Sequence, residues 1–302
     1  PIKPLLQALR QLGVDCIYQD DSSVVVNGGS LKCGMVELPG NVSSQFVSAL
    51  LFIAPFVEGG MVAKLTVPLE SKPYVLMTLD CLQWFLVTVG FSEELDKFEV
   101  LRQTYEPVKY EIEGDWSSAS YLLALGVIGG EVEVDNLNPK SLQADRKILN
   151  LLRNMGARVE VNNNSVIVRK SRLNAIRADL SDCIDLLPTM AVLAAVADGE
   201  SEFVGIERAR IKESNRVSAL REGLELMGVK VREERNKLTV IGSIPRGTVI
   251  DTKGDHRIAM AFSILGSVAG ETIIDGAECV SKTFPEFWNV LKSIGGEVEI
   301  NG

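Results

Sequence analysis

The sequence holds a single histidine, His256, among 302 residues. A histidine-based metal site, or a nucleophilic triad drawing on several histidines, therefore has almost no material. Five cysteines (Cys16, Cys33, Cys81, Cys183, Cys279) are scattered without a Cys-x-x-Cys pair. An odd, unpaired set of this kind points to a reducing compartment, and cytoplasm is expected. Neither a Gly-x-Gly-x-x-Gly fingerprint nor a Walker-type phosphate loop occurs. The longest apolar runs, 47–57 and 186–197, are too short and too interrupted to span a bilayer. No secretory signal is legible, so no membrane partner is expected. The net charge of −9 carries no basic footprint, which argues against a nucleic-acid partner. No cofactor and no metal are expected, and any anionic ligand must be held by local cations.

With 46% hydrophobic and 24% charged residues, there is core enough for two domains of ordinary size. What fills the sequence is repetition. Leu5-Leu6-x-x-Leu9-x-x-Leu12-Gly13 leads into Val24-Val25-Val26, and Leu79-x-x-Leu82 leads to Val89-Gly90. Ile148-x-x-Leu151-Leu152-x-x-Met155-Gly156 leads into Val159/Val161 and Val166-Ile167-Val168. Val217, Leu220, Leu224 and Met227 end at Gly228 before the pair Val229/Val231 and Leu238/Val240, and Val290-Leu291-x-x-Ile294-Gly295 precedes Val298/Ile300. Each reads as an amphipathic helix, a glycine stop and strands. The glycines at 13, 90, 156, 228 and 295 are separated by 77, 66, 72 and 67 residues, a reused unit of about 70.

A second, more apolar helix precedes the amphipathic one in each full unit, at 46–54, 121–125, 187–196 and 258–265. Small residues mixed among large ones suit helices buried against neighbours. The unit is predicted to be βαβαββ. The polar stretch 103–109 predicts a boundary: a first domain, 1–108, with one partial and one complete unit, and a second, 109–302, with three units, the first entered through Tyr110-Glu-Ile-Glu. The chain begins with Pro1 and enters a helix almost at once, so missing upstream sequence is expected.

Polar residues gather where the predicted helices begin. Ser43-Ser44-Gln45, Asp115-Trp-Ser117-Ser118, Asp185 and Asp255-His256-Arg257 sit at the apolar helix starts, their first residues separated by 72, 70 and 70. The amphipathic helices start at Ser71-Lys72-Pro73-Tyr74, at Arg210-Ile-Lys212-Glu213-Ser-Asn-Arg216 and at Ser281-Lys282-Thr283-Phe284-Pro285. Ordinary capping accounts for Ser, Asp and Pro there. It does not explain Lys72, Lys212, Arg216, Arg257 and Lys282, because a helix N-terminus repels cations unless an anion is bound. The 210–216 stretch therefore reads as an anion site with a carboxylate, Glu213, inside it.

In order along the chain, Ser43-Ser-Gln-Phe46, Ser71-Lys-Pro-Tyr74, Glu113-Gly-Asp-Trp-Ser-Ser-Ala-Ser-Tyr121, Asp185-Leu-Leu-Pro-Thr189, Arg210 to Arg216, Gly254-Asp-His-Arg257 and Lys282-Thr-Phe-Pro285 resemble successive motifs of the 5-enolpyruvylshikimate-3-phosphate synthase family. The resemblance implies an α/β chain of two domains built from βαβαββ units, helices inside and sheets outside, with the first domain incomplete and the active site in a cleft. It implies transfer of the enolpyruvyl group of phosphoenolpyruvate to the 5-hydroxyl of shikimate 3-phosphate, releasing phosphate by addition and elimination. Small-molecule substrates, a monomer at full length and glyphosate as inhibitor also belong to what it implies.

An attacking alcohol must lose a proton and a methylene carbon must gain one, which enclosed carboxylates can arrange. By resemblance, Asp185 handles the 5-hydroxyl and Glu213 takes part in protonating the methylene group. Its cationic neighbours favour ionised Glu213, which is awkward for a donor, and a lysine of the family's N-terminal loop, upstream of Pro1, is a rival. Arg216, Arg257 and Lys282 resemble the phosphoenolpyruvate clamp. Ser43, Ser44, Gln45, Ser71, Tyr74, Asp185 and Lys212 resemble the shikimate 3-phosphate contacts. His256 reads as structural or orienting, and Arg208 departs from the neutral polar residue often found at its position. The alternatives are a UDP-N-acetylglucosamine enolpyruvyl transferase, which the Ser-Ser-Gln and Ser-Lys-Pro-Tyr motifs disfavour, and an inactive fragment that only binds ligand.

Overall fold

The repeat is most visible in how the amphipathic helices end. In the computed structural model, which describes residues 2–19 and 23–300, these are α1 (Lys3–Gln11), α3 (Lys72–Trp84), α5 (Ile148–Asn154), α7 (Arg216–Leu226) and α9 (Phe287–Ser293), and α2 (Ser44–Ile53), α4 (Trp116–Gly129), α6 (Leu187–Ala195) and α8 (His256–Ala269) lie between them. Each of the five closes with the same pair of backbone hydrogen bonds. Gly13 N–H donates to Arg10 O and Val14 N–H to Leu9 O; the same offsets recur at Leu86/Val87, Gly156/Ala157, Gly228/Val229 and Gly295/Gly296. This is the Schellman closure, which needs a left-handed residue at its turn. Glycine supplies it four times, and Leu86, at φ 60°, supplies it once. The expectation that Gly90 ends the second of these helices is therefore corrected. Gly90 opens a strand, and Leu86 stands at the stop, where sequence propensity argues against an αL leucine. With Leu86 in the series, the spacings become 73, 70, 72 and 67.

The chain divides into two compact units, Pro1–Ile112 and Glu113–Gly302. In the first, α1 packs with the hairpin β1 (Asp15–Tyr18) and β2 (Val24–Gly28). One complete βαβαββ unit follows: β3 (Gly34–Leu38), α2 (Ser44–Ile53), β4 (Met61–Leu65), α3, β5 (Gly90–Phe91) and β6 (Lys97–Val100). Its sheet runs β3-β4-β6-β5, the first pair parallel and the others antiparallel. Val47, Leu50 and Leu51 of α2 bury with Val36, Leu38, Ala63 and Phe98 of the sheet.

The second unit holds three rounds of the repeat. The first contains α4 (Trp116–Gly129), β7 (Glu131–Asp135), α5, β8 (Arg158–Val161) and β9 (Ser165–Arg169). The second, β10 (Arg177–Asp179), α6 (Leu187–Ala195), β11 (Glu200–Val204), α7, β12 (Lys230–Glu234) and β13 (Lys237–Ile241), has the sheet order β10-β11-β13-β12, the same topology as the complete unit before it. The third contains β14 (Val249–Asp251), α8 (His256–Ala269), β15 (Ile273–Asp275) and α9. Among the described residues Tyr110-Glu-Ile-Glu and Val298/Ile300 do not form strands, a correction to the sequence reading. The stretch 281–285 is not a helix start either: a short 3₁₀ turn, Ala277–Lys282, ends there and α9 begins at Phe287.

The three apolar helices α4, α6 and α8 form the centre, and all nine residues of α6 are buried. Each large side chain so buried stabilises by about 1.5–3 kcal/mol. Gly223, in the middle of α7, would cost stability there if exposed. A Cβ at that position would lie 2.3 Å from the Phe262 ring of α8, so the glycine is what lets α7 approach α8 closely enough for Arg216 to reach Asp255.

Candidate active site

In the second unit the starts of the three inner helices meet. The hydroxyls of Ser120 and Thr189 lie 2.9 Å apart and tie the first turns of α4 and α6. Asp185, in a 3₁₀ turn that runs into α6, lies 3.4 Å from Arg257 of α8. Asp115 caps α4 by accepting from the Ser117 and Ser118 N–H groups, and Asp255 caps α8 by accepting from Arg257 N–H. The partial positive charge of several helix ends thus converges here.

Arg216, the first residue of α7, points into this centre and is 1% exposed. Every nitrogen of its guanidinium meets a carboxylate: Nε donates to Asp255 at 2.8 Å, Nη1 to Asp185 at 2.7 Å and Nη2 to Glu213 at 2.5 Å. Lys282 Nζ donates to the other Glu213 oxygen at 2.8 Å, Lys212 Nζ stands 3.9 Å from Asp185, and the Ser214 hydroxyl donates to Asp255. Four cations thus face three carboxylates, an excess of one positive charge. Arg216 spans three acids because only a planar guanidinium presents donors in three directions.

These neighbours set the protonation states. Burial alone would raise Asp185, but Arg257, Lys212 and Arg216 outweigh it and hold its carboxyl well below the usual range. Burial is likewise overcome at Glu213, where the Lys282 hydrogen bond and the Arg216 charge bring the pKa down to about 2. Arg257 lies beside the Tyr121 hydroxyl, which burial pushes up to about 12. His256 is buried at the start of α8, with neither ring nitrogen hydrogen-bonded among the described residues; burial and the Arg257 charge lower its pKa, leaving it neutral at pH 7.

Asp185, Lys212, Glu213, Arg216, Arg257 and Lys282 are therefore brought together in one cluster. Arg210 is not part of it: its guanidinium turns to Glu233 at 2.5 Å and to the carbonyls of Glu234 and Arg235, tying its turn to the β12–β13 hairpin. The cationic helix start read from the sequence is met largely by the protein's own acids, with one cation in excess. Asp255 and Asp145 carried no assigned role in the sequence. Asp255 could have been found from its capping position before α8, whereas Asp145 follows an irregular loop with no periodic signal.

In the first unit, Ser43 caps α2 by accepting from Gln45 N–H at 3.3 Å, Ser44 is buried and Gln45 is exposed. Ser71 precedes α3 at φ 54°, and Tyr74 N–H donates to its carbonyl. The Glu70 N–H donates to Gly40 O at 3.1 Å, which ties the loop entering α2 to the loop entering α3. A Cβ on Gly40 would lie 2.7 Å from Val67 O, so this join needs glycine. Ser43, Ser44, Gln45, Ser71 and Tyr74 thus share one end of the helix pair. Among the described residues no group of three His, Cys, Asp or Glu side chains is placed to hold a metal ion, and no helix is long and apolar enough to cross a membrane.

The fold is that of solved enolpyruvyl transferases. The chain superposes on EPSP synthase from Acinetobacter baumannii with a TM-score of 0.81 at 23% identity, covering 100% of this chain and 72% of that one. It superposes on the enolpyruvyl transferase NikO from Streptomyces tendae at 0.77 and 18% identity, covering 99% and 72%. The particular family follows from sequence: the family model for EPSP synthase (3-phosphoshikimate 1-carboxyvinyltransferase) matches residues 1–291. A 3-phosphoshikimate 1-carboxyvinyltransferase of Dehalococcoides mccartyi is 48% identical over 298 residues, 99% of this chain and 71% of that protein. One of Methanococcus maripaludis is 40% identical over 310 residues, covering 99% and 72%. The chain belongs to the EPSP synthase family, a transferase family of the shikimate pathway, and not to the nucleotide-sugar branch.

Proposed function

We propose that the cluster around Arg216 is where this chain takes part in enolpyruvyl transfer from phosphoenolpyruvate to the 5-hydroxyl of shikimate 3-phosphate. The observation that carries the reading is that one buried guanidinium holds both acids the reaction needs, Asp185 and Glu213, with Lys212, Arg257 and Lys282 around them. Arg257 and Lys282 take the phosphoenolpyruvate charges, and Arg216 orients the two acids. Ser43, Ser44, Gln45, Ser71 and Tyr74 supply the shikimate 3-phosphate contacts of the first unit, and Asp185 and Lys212 those of the second.

Both acids are ionised in the free cluster. Asp185 can accept the hydroxyl proton as the alcohol attacks. Glu213 must first gain a proton to donate one. A bound anion that draws Lys282 and Arg257 to itself removes the charges that hold these carboxyls down, so their proton affinity rises in the complex. In the elimination Glu213 takes a proton back from the new methyl group as the C–O bond to phosphate breaks, and the proton that came from the 5-hydroxyl leaves with the departing phosphate. The reading includes a monomer with small-molecule partners; that it includes no nucleic acid is supported by the net charge of −9. It also includes a cytoplasmic setting, supported by five free cysteines.

The test is phosphate release from phosphoenolpyruvate by a version spanning the relatives' whole length. Release is expected with shikimate 3-phosphate and not with UDP-N-acetylglucosamine. Asp185→Asn is expected to lower turnover by about 10²-fold or more while shikimate 3-phosphate binding stays within a few-fold. Unchanged turnover would remove Asp185 from the mechanism.

A further inference from the structure

One helical turn below the candidate site residues, a pair of hydroxyls joins two helices in each unit. In the second unit the partners are Ser120 of α4 and Thr189 of α6, both buried and 2.9 Å apart. The Ser120 hydrogen is committed to the Ser117 carbonyl at 2.7 Å, so Thr189 is the donor between them. Thr189 stands four residues after Asp185, a spacing that stacks the two on one helix face. In the first unit Ser48 of α2 and Thr78 of α3 lie 2.7 Å apart. Thr78 donates to the Tyr74 carbonyl at 3.0 Å, so Ser48 is the donor there. Ser48 stands four residues after Ser44, and Thr78 four after Tyr74. The two joints are not repeat copies of each other, since the first unit's links an apolar helix to an amphipathic one and the second unit's links two apolar helices.

Stability alone does not call for hydroxyls at these places. Replacing both partners of a buried hydrogen bond by apolar groups of the same shape is nearly neutral. What the hydroxyl pair adds is geometry, because a hydrogen bond holds its two oxygens to a narrow range of distance and angle. The second unit has a particular use for that. Asp115 and Asp255 cap α4 and α8, whereas α6 opens without a side-chain cap. The Asp185 carboxylate turns instead to Arg216 and Arg257. The turn that carries this acid is thus held from below, through Thr189.

We propose that Thr189 is a positioning residue for the transfer: its hydrogen bond to Ser120 sets the first turn of α6 and with it the place of the Asp185 carboxylate against the reacting hydroxyl. The proposal rests on the role given to Asp185 in the previous subsection.

The experiment is steady-state phosphate release by a version spanning the relatives' whole length. Thr189→Val keeps the shape of the side chain and removes the donor. It is expected to lower kcat by about tenfold, short of the roughly 10²-fold that misplacement by about 1 Å can cost, with the KM of each substrate within about twofold. Thr189→Ser restores the donor and should bring kcat back to within about twofold of the wild type. In an Asp185→Asn background Thr189→Val should add no further loss, since a residue that acts through another is not additive with it. Three results overturn the proposal: wild-type turnover in Thr189→Val, no recovery in Thr189→Ser, or the same loss in the Asp185→Asn background. Should Thr189→Val fail to fold, Ser120→Ala removes the acceptor instead, and wild-type turnover or an undiminished loss beside Asp185→Asn overturns the proposal in the same way. Wild-type turnover in Asp185→Asn itself would overturn the role of Asp185, and the proposal with it.

Discussion

Replacing Arg216 by methionine leaves Asp255, Asp185 and Glu213 facing one another without the guanidinium that separates them. Breaking a buried ion pair by removing one partner costs about 3–5 kcal/mol, and a loss of that order in urea unfolding is the expected outcome, with Arg216→Lys recovering only part of it because an ammonium cannot reach three acids. A loss within 1 kcal/mol, measured at pH 7, would show that the acids relax into water instead. Asp145 has the opposite sign from the paired acids. Burial and the Asp185 charge place its folded pKa, about 6, above the unfolded value, so its contribution to stability is full below about pH 4 and is lost as pH rises through 6. Asp145→Asn is therefore expected to gain on the wild type between pH 4 and 7, by on the order of 2 kcal/mol. A constant difference in unfolding free energy across that range would contradict it. Asp185 and Glu213, held low, confer stability above about pH 4 that is lost as pH falls towards their folded values, near 2 for Glu213.

At the scale of elements, much of the fold was legible. The spacing 3, 4, 3 of Val217, Leu220, Leu224 and Met227 and the stop at Gly228 appear in α7 as read, because amphipathic period and an αL glycine are local signals. Leu86 was not legible, since the Schellman turn there is imposed by the repeat against the residue's own preference. An L-residue in this conformation costs roughly 1–2 kcal/mol, and Leu86 is 65% exposed, so its side chain returns little. Leu86→Gly is expected to raise the stability of the chain by about 0.5–1 kcal/mol once glycine's greater unfolded-state entropy is subtracted. A lower thermal midpoint in the variant would mean that the leucine is held by packing. Strands were harder to read than helices: Val298 and Ile300 alternate correctly, but alternation says nothing about whether a partner strand stands alongside.

For the molecule as a whole, the family was legible because its motifs sit at helix starts spaced by the repeat, and the acids and cations of those motifs do meet within the second unit. Asp145 escaped because what sets it apart is burial, which a sequence does not display. In the proposed reaction Glu213, in this cluster, moves the proton to and from the methylene carbon. Transfer in D2O by a version spanning the relatives' length tests it most directly, with the enolpyruvyl methylene group of the product followed by NMR. Protonation at carbon followed by elimination must leave deuterium in that group. Deuterated product is expected from the wild-type protein, with a rate of incorporation lower by about 10²-fold or more in Glu213→Gln; incorporation at the wild-type rate in that variant would take the proton transfer away from Glu213.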